Sequence, residues 1–235
     1  MELQPLKSNT VLVSSGLACV LFILLSSVTS KVGYYIQPLF YIGFYLYYFL
    51  SLQRHNYVFA IFLISAYIGE AFLITDVHRY FVLVISMFVI AAAAMLYTFI
   101  PMLRLKPRKI TKEMLVEPSI GILFCIYTVV YLMTMYYNLI PNKFLFVAGA
   151  ILLLFYTIVC FLIPLRNRHP SNVYLYLIGG GLLIESILSF VYTYSMPIPV
   201  IAVGTKIAIC VHKACVTLYF VSIEHVRTDM SYDEY

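Results

Sequence analysis

Charged residues are scarce in this chain, and their scarcity excludes most soluble architectures. Only 11% of its 235 residues are Asp, Glu, Lys or Arg, against roughly 25% in a typical soluble domain. Hydrophobic residues make up 63% of the sequence, and the mean hydropathy is +0.96. A chain of this length cannot hide so much apolar surface from water, so the composition predicts that its solvent is a lipid bilayer.

Several functional signatures are also missing. The sequence contains no HExxH, GxSxG or Walker A motif, its five cysteines form no CxxC pair, and it has no tryptophan. These absences argue against a zinc protease, a serine hydrolase of the common type and a P-loop nucleotide site. We therefore predict no metal site, no cofactor and no disulfide framework.

The few basic residues follow a pattern that indicates topology. Of the 15 Lys and Arg residues, ten lie in alternate gaps between apolar stretches, and three lie in the other gaps. The ten are Lys7, Arg54, Arg104, Lys106, Arg108, Lys109, Lys112, Arg166, Arg168 and Arg227, and the three are Lys31, Arg79 and Lys143. Because basic residues concentrate in short cytoplasmic loops, we expect both termini in the cytoplasm and an even number of spans. The net charge of +5 is attributed to topology and contact with anionic lipid, and no nucleic-acid partner is expected.

The apolar stretches and the prolines between them predict an all-α, polytopic membrane bundle of eight transmembrane helices. The helices are expected at about 10–29, 33–52, 56–75, 79–102, 115–138, 142–164, 171–196 and 198–224. Residues 1–228 form one transmembrane domain, whose halves of about 10–102 and 115–224 suggest a parallel 4+4 repeat. An acidic tail, 229–235, is predicted to be disordered. The expected location is the plasma or inner membrane, with membrane lipids as partners.

Five acidic, basic or histidine residues lie within the predicted spans and away from the span ends, at depths where charge is costly and usually functional. They are Glu70, Glu185, Lys206, His212 and Lys213. Counting about 1.5 Å per residue from the span ends, we expect Lys206 between or beside the two carboxylates. His212 and Lys213 are expected at a deeper level, near the membrane midplane. The arrangement predicts a polar pocket between the third, seventh and eighth spans.

Small and hydroxylic residues flank these charges. Ser186 follows Glu185 and is expected to supply a hydroxyl group to the pocket. Gly69 precedes Glu70, and Gly181 belongs to a Gly-Gly-Gly run that allows neighbouring helices to approach closely. The second span also carries four tyrosines that are predicted to pack or anchor, or alternatively to line a polar cavity: Tyr41, Tyr45, Tyr47 and Tyr48.

Two carboxyl groups in a dry pocket suggest acid–base chemistry. One can donate a proton while the other activates water, which suits hydrolysis of an acid-labile bond without a metal. In this hypothesis Glu70 and Glu185 are the catalytic pair. Three alternatives stay open: a proton-coupled carrier, a binding site for a small amphipathic or anionic ligand, and a structural ion pair that holds helices together.

The residues around both acids resemble those of the YhhN-like family of eight-helix membrane proteins, which includes the lysoplasmalogenases. The resemblance rests on Ile68-Gly69-Glu70 in the third span, Phe88 and Tyr97 in the fourth, and Gly179-Gly180-Gly181 followed by Glu185-Ser186 in the seventh. The family pattern has Asp where Glu70 and Glu185 stand here. The resemblance implies hydrolysis of the vinyl ether bond of a lysophospholipid substrate, with these two acids as the catalytic residues.

Overall fold

A computed structural model of the chain describes residues 3–28, 30–104, 113–166 and 170–232, and every regular element in these ranges is an α-helix. The seven helices are α1 (Leu3–Val28), α2 (Ser30–Leu52), α3 (Tyr57–Arg104), α4 (Glu113–Tyr136), α5 (Lys143–Arg166), α6 (Asn172–Tyr194) and α7 (Pro199–Tyr232). Six of them, α1 and α3 to α7, are long and apolar enough to cross a membrane. The prediction of an all-α, polytopic helical bundle is confirmed at this level.

The second helix, α2, is not among those six, and its sequence contains Pro38 and several tyrosines. Its side chains nevertheless belong to the protein core. Phe40, Phe44 and Tyr48 are at most 2% exposed and pack in the main hydrophobic cluster. The tyrosine bodies therefore serve as core residues, as expected for large amphipathic rings.

The third and fourth predicted spans form one 48-residue helix, α3, with a kink at Asp76 and Tyr80. Both residues have non-helical backbone angles, and the Asp76 carboxylate accepts a hydrogen bond from the Arg79 backbone N–H at 3.1 Å. This bond satisfies a backbone donor at the start of the new helical segment. We call residues 57–75 the first arm and 81–104 the second arm. Gly69 of the first arm lies against Met87 of the second, so the chain folds back at the kink.

The last helix, α7, occupies the centre of the bundle. Half of its apolar window is buried, against 22–33% for the other five candidate spans, and it packs against α1, α2 and α6. Helix α6 packs against α7 at Gly181 and against α5 at Gly179. Residues brought to the centre by α6 and α7 are therefore shielded from lipid.

Helix α7 continues without a break to Tyr232, and the disorder expected from the sequence for residues 229–235 stays a prediction. No proline or glycine follows Gly204 before Tyr232, so nothing in the sequence interrupts the backbone hydrogen bonds of the helix. Residues 233–235 lie outside the described residues.

Close contact between α6 and α5 depends on Gly179. A Cβ atom at this position would lie 3.0 Å from the Cβ of Cys160, whereas one at Gly180 would meet nothing within 4 Å. Gly179→Ala is therefore expected to destabilise the protein by about 1–3 kcal/mol through overpacking. Denaturant unfolding in detergent, followed by circular dichroism, measures the change. Gly180→Ala is the matched control and is expected to be neutral or stabilising; equal losses for both variants would contradict the tight contact.

Candidate functional site

A cluster of buried ionisable side chains lies where α3, α6 and α7 meet. Glu70 comes from the first arm of α3 and is 0% exposed, and Glu185 comes from α6 and is 2% exposed. His212 and Lys213 of α7 are each 1% exposed. The predicted convergence of two acids and an amine from separate parts of the chain is thus present. Buried charges require partners of opposite sign, so the contacts within the cluster determine its stability.

Lys213 connects the two acids. Its Nζ atom lies 2.7 Å from Oε1 of Glu70, 3.3 Å from Oε2 of Glu185 and 3.1 Å from Nδ1 of His212. The contact with Glu70 is an ion pair by distance, although its angles are not those of a hydrogen bond. An ammonium group has three N–H donors and no acceptor. Three electron-rich atoms therefore surround this group, and they come from three segments of the fold.

The expected position of Lys206 is wrong. Instead of lying between or beside the carboxylates, Lys206 donates a hydrogen bond to the backbone carbonyl of Ser26 in α1 at 2.8 Å. The two predicted levels are also a single level, because Lys213 and His212 contact the acids directly. Counting the rise along separate helices ignores their tilt and the reach of a lysine side chain, and both determine which of two lysines on one helix face meets the acids.

Two residues of α2 complete the surroundings of Glu70. The hydroxyl of Tyr41 donates to Glu70 Oε2 at 2.5 Å, and Nε2 of Gln37 donates to the same oxygen at 3.1 Å. Tyr41 therefore faces a polar site, the less favoured interpretation of the tyrosine cluster. Gln37 is absent from the predicted site, although a glutamine one helical turn before Tyr41 in an apolar span was a usable signal.

A cavity of about 130 Å³ adjoins the cluster. Both arms of α3 and the helices α4 to α7 enclose it, and Glu185, His212 and Lys213 contribute to its wall. Glu70 lies behind Lys213 and is not among the described lining residues. Most of the remaining wall is hydrocarbon, including Phe62, Phe81, Phe88, Phe146 and Phe190. The cavity is thus apolar with one strongly polar region.

Five buried polar atoms on residues of the cavity wall have no hydrogen-bond partner within the described structure: Glu185 Oε1, His212 Nε2 and the hydroxyls of Tyr156, Ser189 and Tyr194. Nδ1 of His212 lies 3.2 Å from Glu185 Oε2. In a neutral ring, Nε2 accepts when Nδ1 donates to Glu185, and it donates when Nδ1 accepts from Lys213. Native structures rarely leave such atoms unpaired, so a ligand or water in the cavity is their natural partner. Nothing in the sequence distinguishes Tyr156 from the tyrosines that only pack.

The remaining predicted pocket residues have different roles. Ser186 lines the cavity, but its hydroxyl donates to the Leu182 carbonyl at 2.9 Å. Gly181 allows α6 to approach α7, since a Cβ atom there would lie 3.4 Å from the Cβ of His212. Gly69 supports the contact between the two arms of α3 and is not among the described lining residues. Across the described ranges, no group of three His, Cys, Asp or Glu side chains is placed to hold a metal ion.

Replacing Lys213 with methionine tests the connection between the acids. Methionine retains the length of the side chain but removes its charge, so both buried carboxylates lose their shared ammonium. The expected destabilisation is about 3–5 kcal/mol, measured by denaturant unfolding in detergent. Adding Glu70→Gln and Glu185→Gln to Lys213→Met is expected to restore much of this loss, because no acid is then left unpaired.

Lys206→Met is the matched control on the same helix. Lys206 is half-buried and bonds a backbone carbonyl, so its loss is expected to cost only about 1 kcal/mol. Similar losses for the two lysine variants would contradict the central position of Lys213.

Comparison with models of protein families, with curated proteins and with solved structures finds no match to this chain. Its assignment therefore comes from its own composition and helices: the chain is a multi-pass integral membrane protein.

Proposed function

We propose that the protein is a metal-independent hydrolase that cleaves the vinyl ether bond of a lysolipid within the membrane. The observation that carries the proposal is the pair Glu185 Oε1 and His212 Nε2. Both atoms are buried, both lack a hydrogen-bond partner in the described structure, and both belong to the wall of an otherwise apolar cavity. The resemblance of the segments around Glu70 and Glu185 to those of lysoplasmalogenases gives the proposal its substrate.

Hydrolysis of a vinyl ether consumes one water and yields an aldehyde and an alcohol. A proton is delivered to the alkenyl carbon that is not bound to oxygen, and water attacks the carbon bound to oxygen and returns a proton to the carboxylate. The hemiacetal then collapses to the aldehyde, and its hydroxyl proton leaves with the alcohol. In the cluster, two carboxyl groups face one lysine ammonium, so the group is neutral only when it holds one additional proton. In our proposal Glu185 delivers that proton, and His212 orients the attacking water.

Glu70 has a positioning role in this proposal and not the direct catalytic role expected from the sequence. Its oxygens contact Lys213, Tyr41 and Gln37. These contacts hold Lys213 in place, and Lys213 in turn holds Oε2 of Glu185. The second oxygen of Glu185 is left for the substrate.

The finer topology is part of the same proposal. We place eight crossings in two halves of four, about 10–102 and 115–224, with each arm of α3 crossing separately because the arms pack against each other on either side of the kink. An even number of crossings puts both termini on one side. The basic residues assign that side to the cytoplasm, in the plasma or inner membrane.

Release of aldehyde from an alkenyl lysolipid in proteoliposomes tests the hydrolase. Glu185→Gln is expected to lower the rate at least about 100-fold, because the amide cannot transfer the proton. Glu70→Gln is expected to lower it less, since that residue acts through Lys213. Circular dichroism and thermal unfolding show whether each variant is folded. No aldehyde from the wild type, or full activity in a folded Glu185→Gln protein, would contradict the proposal.

The size of the cavity favours a second candidate, the non-enzymatic binding or transport of a small amphipathic or anionic ligand. Its volume of about 130 Å³ is below the roughly 300–1,000 Å³ of pockets that bury a drug-sized ligand. A complete lysolipid is too large to be enclosed, whereas a short chain with one polar end fits. Glu185, His212 and Lys213 form the polar end of such a site.

Sealed proteoliposomes distinguish the two candidates. A carrier is expected to take up labelled hexyl phosphate, a small anion that crosses lipid slowly, and to release no aldehyde from the alkenyl lysolipid. A hydrolase is expected to show the opposite pattern. Protein-free liposomes and Glu185→Gln are the controls, and uptake equal to that of protein-free liposomes would exclude a carrier for this ligand.

A further inference from the structure

Helix α6 carries a row of polar side chains along the cavity wall beyond Glu185. Glu185, Ser189 and Thr193 are four residues apart, so they share one helix face at intervals of about 6 Å. All three line the cavity, as does Tyr194 at the end of the helix. The polar part of the cavity therefore extends from the charged cluster toward the kink of α3, where the ring of His78 lies against that of Tyr194.

The hydroxyl of Ser189 differs from those of its neighbours. Ser186 donates to the carbonyl of Leu182 at 2.9 Å, and Thr157 donates to the carbonyl of Leu153 at 2.8 Å, each one turn back along its helix. The buried Oγ atom of Ser189 makes no such bond within the described structure. A buried hydroxyl without a hydrogen bond destabilises the protein unless a ligand or water supplies the missing partner.

Tyr194 presents a second hydroxyl of this kind. Its ring packs against Tyr136 at 5.7 Å and Phe190 at 5.9 Å between centroids, yet its buried hydroxyl has no hydrogen-bond partner among the described residues. The hydroxyl of Tyr136 shows the contrast, because it lies 2.7 Å from Oγ of Ser195. Two unpartnered hydroxyls thus line the cavity within three turns of Glu185.

We infer that Ser189 and Tyr194 form a head-group subsite for a hydroxyl-bearing ligand, such as the glycerol unit of an amphipathic molecule. Each protein hydroxyl can both donate and accept, so a ligand that carries two hydroxyls offers each of them a partner. The ligand then lies along α6 with its hydroxyl end toward the kink of α3. The inference rests on the proposed function in one respect: the same ligand places its reactive group at Glu185.

Two small probes, bound to the intact protein in lipid nanodiscs, test the subsite. One is 1-O-hexylglycerol, which carries two hydroxyls, and the other is hexyl propyl ether, which has the same skeleton and none. Neither contains a vinyl ether, so binding is measured without turnover, by calorimetry corrected for partition into lipid. The wild type is expected to bind the diol about tenfold more tightly, the ratio that one or two net hydrogen bonds give. Ser189→Ala/Tyr194→Phe is expected to abolish the preference while retaining affinity for the ether.

Ser186→Ala/Tyr136→Phe is the matched control. It removes the same atoms from nearby residues whose hydroxyls are already bonded, so the preference for the diol is expected to persist. The inference is overturned if the wild type binds neither probe or binds both equally, or if the two double variants lose the preference alike. A persistent preference without any aldehyde release would reject the hydrolase alone, and the subsite would stand.

Discussion

The ion pairs of Lys213 with Glu70 and Glu185 are the interaction on which the rest of the site depends. A lysine at membrane depth is tolerated only when carboxylates or other acceptors compensate its charge, and here the carboxylates of Glu70 and Glu185 do so. Because the three residues come from α3, α6 and α7, the same contacts hold the centre of the bundle together. A variant of Lys213 therefore changes the stability of the bundle and the chemistry of the site together. Variants of Glu70 and Glu185 are more informative about the chemistry.

The two acids of the cluster differ in their surroundings, because only Glu185 lines the cavity. On one side, Gln37 and Tyr41 donate hydrogen bonds to Glu70 Oε2, Lys213 pairs with its Oε1, and Glu70 is not among the described lining residues of the cavity. On the other side, Glu185 and His212 each keep an unpaired atom at the cavity. A purely structural ion pair has no need of such atoms, since each is a desolvated group without compensation. The open side is thus the part of the cluster that a ligand explains and packing does not.

The features that the sequence predicts well are those that follow from composition and local pattern. An all-α bundle follows from hydropathy, and burial of Glu70 and Glu185 follows from the cost of charge in lipid. The sequence does not predict which of Lys206 and Lys213 meets the acids, because residues seven apart share a helix face. Helix tilt and the reach of the lysine side chain decide between them. Gln37 was missed although a glutamine in an apolar span is a signal, whereas nothing in the sequence distinguishes Tyr156 from the tyrosines that only pack. The fold-back at Asp76 appears in the sequence as a short polar interval, which does not specify whether helix continues through it.

The separation of the cluster along the chain has a consequence for how the protein is made. Glu70 emerges from the ribosome 143 residues before Lys213, so its carboxylate enters the membrane long before its counter-ion exists. Until α7 is inserted, the partly assembled bundle holds Glu70 and Glu185 without the ammonium group of Lys213. Insertion of α7 therefore completes the charge balance of the bundle. A chain that lacks α7 leaves Glu70 and Glu185 without their counter-ion, and membrane quality control can recognise such unpaired acids.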